Sequence, residues 1–381
     1  MGLGNDLSLA ELDATPDPIL ARMRAEEPVC WVPALEMWLV TRWDDVAFVE
    51  SNPELFSAAT EPSFLARALG QNMLTCDPPQ HTRLQDAFKP SFVASGRSGG
   101  FVADELAPIA DSILDQVDAS QPFDVMSAYA QPLSAGSLAT VLGLDACGFD
   151  TMWSWCEGLC ADVANFENDP GLAETGQAAK AELGEALRAR LAENVDDNSA
   201  ISAFVRAGAT PEEIINNVRL MISGGINEPR DGIGLVTWVL LTQPDIRVQV
   251  NAEPKMLRRL IEEVLRVYSP VGTVTRQATE DLELAGTAIK KGDLVSGVLR
   301  SINLDEEHWS NPTEIDLTRR EGSHAAFALG AHRCLGEWLG RQEVRVGVER
   351  LFARFPQMEL IEEVELAGFE FRGPKAVVVR P

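Results

Sequence analysis

Residues 327–336 read Phe-Ala-Leu-Gly-Ala-His-Arg-Cys-Leu-Gly, and this stretch constrains the possible folds more than any other. Gly330 and Gly336 bracket Cys334. Their missing side chains permit a tight turn and the close approach of a flat group to the backbone. A helical pattern follows from Leu335 to Phe355. The cysteine therefore stands just ahead of a helix start, where the dipole and free amides favour a thiolate. His332 and Arg333 add cationic neighbours. Such a cysteine is a buried structural thiol, a nucleophile or a metal ligand. A nucleophile needs a base and an orienting group, and the segment identifies neither. A thiolate with amide donors and nearby cations suits an iron porphyrin, whose carboxylates the cations would meet.

Composition sets the outer bounds. Across 381 residues, 32 Lys and Arg face 58 Asp and Glu, a formal charge of −26. That surface repels phosphate and argues against a nucleic-acid binder and against docking on an anionic membrane. Met1 to Pro18 lacks a basic segment followed by an apolar run, and no stretch of about 18 apolar residues occurs. A cytoplasmic location with reduced cysteines is the expectation. Cys156 and Cys160, four apart without histidine nearby, read as packing on one helix face.

Apolar spacing of three and four predicts helices over Leu7–Arg24, Phe101–Val117, Ala173–Asn194, Pro211–Leu241 and Pro254–Val267. Thr210-Pro211-Glu212-Glu213 gives a cap, a first-turn proline and first-turn acid. Asp44-Asp45 should precede a short helix. Val29–Val32 with Met37–Thr41, and Leu282–Leu284 with Gly286–Ile289 and Leu294–Val298, read as hairpins. Lys375–Val379 reads as a last strand, and Glu61–Pro79 as a long irregular loop. With no linker and no repeat, residues 1–381 read as a single domain, mainly helical with small β-sheets.

The ten-residue segment resembles the haem loop of cytochromes P450, Phe-x-x-Gly-x-His/Arg-x-Cys-x-Gly, and the resemblance extends over nearly the whole chain. It implies the P450 fold, a triangular helical prism around a buried haem b with Cys334 as axial thiolate and Phe327 and Gly336 lining the loop. Glu263-Val264-Leu265-Arg266, about 70 residues ahead, matches the family's Glu-x-x-Arg pair. With Arg319 it would form a structural ion cluster. Arg276, His81 and His332 match propionate donors. Gln85 stands where the family often has arginine, and Arg83 could compensate or be a solvated surface residue. His308 and His324 read as loop residues.

The same resemblance places Met221 to Asp231 on the helix crossing the distal face. Gly224 and Gly225 would let the backbone approach bound oxygen, and Pro229 would loosen the turn. Where most members carry an acid followed by threonine, this chain has Asn227-Glu228. A carboxyl there could relay protons if burial raises its pKa. Such a pair resembles that of P450s that remove methyl groups from methoxylated aromatics, and of peroxide-using peroxygenases. Alternatively the pair is merely tolerated and water carries the proton.

Phe64, Leu65, Val163, Ile226, Val271, Val274, Phe369 and Phe371 are the expected apolar wall of a small hydrophobic, aromatic substrate. The implied reaction is C–H hydroxylation and, for an aryl methyl ether, collapse to phenol and formaldehyde, with molecular oxygen or hydrogen peroxide as oxidant. Electrons would come from a separate ferredoxin or flavin reductase, since no dinucleotide loop or iron–sulfur cysteine cluster is apparent. Arg333, Arg341 and Arg345 could form a basic docking patch or make internal ion pairs. Oxidation of a terpene, fatty acid or macrolide, a non-enzymatic haem sensor or carrier, and a non-haem cysteine enzyme remain alternatives.

Overall fold

The computed structural model describes residues 2–193 and 196–381. Helices dominate, and the 32-residue helix Pro211–Thr242 (α7 below) buries most of its length. Its start is fixed as the sequence suggests. The Thr210 hydroxyl accepts from the Glu213 amide, the Glu213 carboxylate accepts from the Thr210 amide, and Pro211 takes the first helical position. Around it lie α1 (Trp43–Ser51), α2 (Phe64–Leu69), α3 (Gln80–Phe88), α4 (Gln131–Leu142), α5 (Phe149–Val163), α6 (Pro170–Ala192), α8 (Met256–Tyr268) and α9 (Glu337–Arg354). Two glycines let α7 and α9 cross closely. A Cβ at Gly232 would come within 2.7 Å of Val344, and one at Gly347 within 2.9 Å of Ile233.

A five-stranded sheet flanks the helices: β1 (Val29–Val32), β2 (Met37–Val40), β3 (Phe56–Ser57), β4 (Thr273–Ala278) and β5 (Leu294–Val298). The order is β1-β2-β5-β4-β3. Only β2 and β5 run parallel, with Trp38 opposite Val295; β4 and β5 pair antiparallel from Thr273–Val298 to Gln277–Leu294. Thus β5 leaves the expected local hairpin, which closes on Leu282–Leu284 and Thr287–Ile289 alone, and becomes a central strand. All five of its residues are buried, which suits a strand covered on both faces.

Several boundaries move for local reasons. Leu7–Arg24 is two helices, Leu9–Ala14 and Pro16–Glu26, because Pro16 opens the second and Thr15 leaves helical geometry. Phe101–Val117 is also divided, into Arg97–Asp104 and Leu106–Leu114. Asp44-Asp45 lie inside α1, in its first turn. The expected Ala173–Asn194 helix begins earlier, at Pro170, where Asp169 caps it; Met1 and Asn194 lie outside the described residues. The last strand is Val378–Arg380, paired with Phe123–Asp124 and Glu359–Leu360. The loop Glu61–Pro79 carries α2, capped by Ser63. No helix among the described residues is long and apolar enough to cross a membrane.

Candidate functional site

The thiolate loop is built by two residues in left-handed geometry, Ala328 and Gly330. A side chain at Gly330 would strike the Glu50 carbonyl, so α1 packs directly on the loop. The Cys334 amide donates to the Phe327 carbonyl at 2.9 Å, and Arg341 lies 4.1 Å over the Phe327 ring. Gly336 caps α9. Cys334 lies deep in the protein and yet its own surface is accessible. Both hold only if its sulfur faces an internal hollow. Burial pushes the thiol up to about 11, with Glu228 and Glu337 adding to it against the Gly336 amide and Arg341. The helix start alone does not make a thiolate; a bound metal must displace the proton. Arg333, a cationic neighbour in the sequence, spends its charge on Glu337 at 2.8 Å.

On one side of the hollow, His81 from α3 and His332 from the loop bring their rings to 4.0 Å. Arg276 from β4 depresses both imidazoles electrostatically, and burial contributes most: His332 falls to about 3. Both ring nitrogens of His332 are buried without a partner among the described residues. An orphaned imidazole N–H beside a buried guanidinium is costly until an anion sits between them. The carboxylates of a porphyrin fit that need, so the residues present suit a haem. Arg276 is itself held by Glu50, Nη2 to Oε2 at 2.8 Å, a buried pair the sequence reading missed because 226 residues separate the two. Gln85 turns to the Ala331 carbonyl at 3.4 Å, and Arg83 pairs with Glu213 on α7. His308 stacks on Trp43 at 3.8 Å, and His324 meets Glu262 at 3.1 Å.

The ion cluster is assembled. Glu263 accepts from Arg266 Nε and Nη2, both at 2.9 Å, from Arg319 Nε at 2.9 Å and from the Asp316 amide at 3.0 Å. Arg266 also donates to the carbonyls of Asn303, Pro312 and Glu314, and Arg319 to that of Ser310. The cluster therefore staples α8 to the segment that leads into the thiolate loop.

On α7, Gly224 and Glu228 share one face. A Cβ at Gly224 would meet only the Glu228 carboxylate, at 3.7 Å. Glu228 Oε2 is buried without a partner among the described residues. Burial raises its pKa well above the usual range, and Asp231 and Glu370 raise it further. Asn227 instead turns toward Asp231 at 3.4 Å, and Asp231 pairs with Arg230 at 2.9 Å. Gly225 faces α4, where a Cβ would lie 3.1 Å from Leu138. Its small size serves the packing of α4 on α7 rather than the hollow. Pro229 has no amide, so the Gly225 carbonyl loses its usual helical donor. Cys156 and Cys160 lie 3.9 Å apart against the Ser223 carbonyl, as packed thiols. No metal-binding cluster of His, Cys, Asp and Glu occurs among the described residues.

The expected apolar wall is only partly gathered. Val271 and Phe371 form a β-bridge, Val274 follows on β4, and Leu65 is partly buried; all keep some surface. Val163 ends α5, nearly buried. Ile226 has no accessible surface and belongs to the main core. Phe64 and Phe369 pack with Phe166 in a separate cluster, with Phe64 edge-on to Phe166 at 5.1 Å. Arg67 of α2 binds the Asp162 carboxylate at 3.0 Å and Asn168 at 3.0 Å, and its carbonyl accepts from Lys180 at 2.6 Å. Arg341 pairs with Glu262 and Glu337, and Arg345 with Glu349. These arginines border a groove of about 350 Å³ that also contains Arg258 and Trp338.

Comparison with known proteins agrees with this geometry. Residues 242–372 match the family described as Cytochrome P450. The chain is 30% identical to Cytochrome P450 107B1 of Saccharopolyspora erythraea, over 95% of this chain and 94% of that one. It is 28% identical to Linalool 8-monooxygenase of Pseudomonas putida, over 91% and 90%. The ligand-free structure of Cytochrome P450 TbtJ1 superposes with a TM-score of 0.88 at 27% identity, covering 99% of this chain and 100% of that one. The chain belongs to the cytochrome P450 family, haem-dependent monooxygenases whose iron is held by a cysteine thiolate.

Proposed function

We propose that residues 1–381 form one haem-binding domain, with Cys334 as axial ligand, His81, Arg276 and His332 on the propionates, and Glu228 as the distal proton group. The observation that carries this reading is Glu228 Oε2, buried and unpartnered among the described residues, placed one turn from Gly224 on the same face of α7 and within electrostatic reach of Cys334. When bound, haem supplies oxygen activation and hydrogen abstraction from the substrate. The protein's own work is to hold and move a proton. Burial disfavours the charged form of Glu228 and neighbouring acids add to that, which favours a carboxyl that carries its proton. It can give that proton at Oε2 and take it back, which an unassisted alcohol does not do. Asn227 and Arg230 hold Asp231, a second acid raised to about 6 by burial.

The substrate class put first is a small methoxylated aromatic, hydroxylated at the methyl group so that the product collapses to phenol and formaldehyde. The bridged Val271 and Phe371 offer an aliphatic and an aromatic surface to such a ring. Hydroxylation of a terpene or other secondary metabolite is the second reading, favoured by the linalool-oxidising relative. Oxygen with electrons from a ferredoxin or flavin reductase, or hydrogen peroxide through Glu228, serves as oxidant in a cytoplasmic setting. The test compares peroxide-driven and reductase-driven turnover of methoxyphenols in wild type and Glu228→Thr. Loss of the peroxide-driven rate in the variant is expected. An unchanged rate removes Glu228 from the reaction, and absence of any spin-state change with methoxyarenes removes that substrate class.

A further inference from the structure

A second carboxylate reaches the hollow from the C-terminal turn. Glu370 lies between Gly368, whose φ of +98 shapes the turn, and Gly373. The turn is clamped to the segment ahead of β4: the Gly272 amide donates to the Glu370 carbonyl at 2.7 Å and the Arg372 amide to the Pro270 carbonyl at 2.8 Å. The Thr273 hydroxyl donates to Glu370 Oε2 at 2.6 Å. Like Cys334 and Glu228, Glu370 lies deep in the protein but keeps accessible surface, and its charge is felt at Glu228. No Lys or Arg pairs with it among the described residues, and its Oε1 makes no hydrogen bond there.

A monooxygenase for a plain hydrocarbon gains nothing from a carboxyl held in its pocket. An acid there with one oxygen uncommitted and accessible is free to take a hydrogen-bond partner from a ligand. Burial raises this carboxyl to about 7 against the Thr273 hydroxyl, so both protonation states are accessible near neutrality. An alcohol or phenol can donate to one state and accept from the other.

We propose that Glu370 is a specificity-determining residue whose carboxyl, aimed into the hollow shared with Cys334 and Glu228, hydrogen-bonds a hydroxyl group on the substrate. The inference rests on the haem-monooxygenase reading of the Cys334 site, but not on the methoxyarene class. Glu370 holds the hydroxyl end while the apolar remainder lies along Val271 and Phe371. Capping that hydroxyl with a methyl group strands the carboxyl and is rejected.

The test is optical titration of the haem-loaded protein with matched pairs, a methoxyphenol against its dimethoxybenzene and linalool against its methyl ether. Wild type, Glu370→Leu and Glu370→Gln are compared. The wild type is expected to prefer the hydroxyl member of a pair. Glu370→Leu should weaken that member by about 10- to 100-fold and leave the capped member unchanged or tighter. Glu370→Gln should retain part of the preference. Equal affinity within every pair in the wild type, or a preference unchanged in Glu370→Leu, overturns the proposal. If only the linalool pair binds and shows the Glu370-dependent preference, the methoxyarene class falls and this inference stands. Should Glu370→Leu not load haem, Thr273→Val supplies the second comparison. Removing the hydroxyl that orients the carboxyl should change the preference within a pair, and an unchanged preference counts against the assignment.

Discussion

Replacing Glu263 by alanine removes one carboxylate shared by two guanidiniums. Side-chain exposure is 8% for Glu263, 1% for Arg266 and 7% for Arg319, so neither arginine can turn to water. Arg319 keeps Ser310 and the Glu321 carboxylate, but Arg266 keeps only backbone carbonyls and retains an uncompensated buried charge. Breaking such a buried pair costs about 3–5 kcal/mol. An unfolding entropy of about 2.1 cal/mol/K per residue gives about 0.8 kcal/mol/K for a chain this long, so the expected fall in Tm is about 4–6 °C. The assays are thermal melting, which reads that shift, and urea unfolding of the haem-loaded protein, with Arg345→Ala as control. Arg345 makes a helix-surface pair with Glu349, worth about 0.3–0.5 kcal/mol. If Glu263→Ala loses no more than the control at an unchanged denaturant slope, the reasoning is refuted. The segment from Asn303 to Glu321 would then be held by its own turns.

Arg276→Ala should speed haem loss to apomyoglobin at least tenfold, because on the proposed assignment it removes a propionate donor, and it leaves Glu50 as an unpaired buried acid; unchanged transfer would place the propionates elsewhere. Gly347→Ala should destabilise by about 1–3 kcal/mol, since its methyl would press on Ile233 where α7 crosses α9. Denaturant midpoints decide it, and a gain in stability would mean that the crossing has slack. Acid should weaken the protein partly through Glu262. Burial raises its pKa, but hydrogen bonds from His324 and Arg341 outweigh this and hold it at about 2, below its ordinary 4.5. Its contribution is complete above about pH 4.5 and fades as pH falls toward 2. Glu262→Gln should therefore flatten the loss of stability across that window, and an equal slope in both proteins would contradict the pairing.

What the sequence revealed was contiguous or periodic. The thiolate loop sits in ten consecutive residues, the Glu263–Arg266 pair is spaced three apart on a helix, and Pro211 marks its own helix start. Relations set by tertiary contact were hidden. Glu50 is an unremarkable acid at the end of α1 until β4 brings Arg276 to it. Glu370 lies between two phenylalanines that attract more notice, and only the clamp to Gly272 aims it inward. Gly225 and Ile226 adjoin Gly224 in sequence, yet helical rotation turns Gly225 toward Leu138 and Ile226 into the core. The aromatic wall was over-read for the same reason. Hydrophobicity marks Phe64 and Phe369 as buried but does not say against what.

The contact of α1 with both Arg276 and the thiolate loop bears on how the protein is made. Glu50 meets Arg276 and His81 meets His332 in space, but the members of each pair leave the ribosome far apart in time, and Cys334 follows later still. At about 5–20 residues per second, some 15–60 s separate the synthesis of Glu50 from that of Cys334. During that interval the early half of the chain carries a buried-type acid and a histidine whose partners do not yet exist. On the proposed assignment, capture of the prosthetic group waits until Cys334 has been made. A nascent chain halted before Cys334 should present its unfinished pocket to chaperones instead.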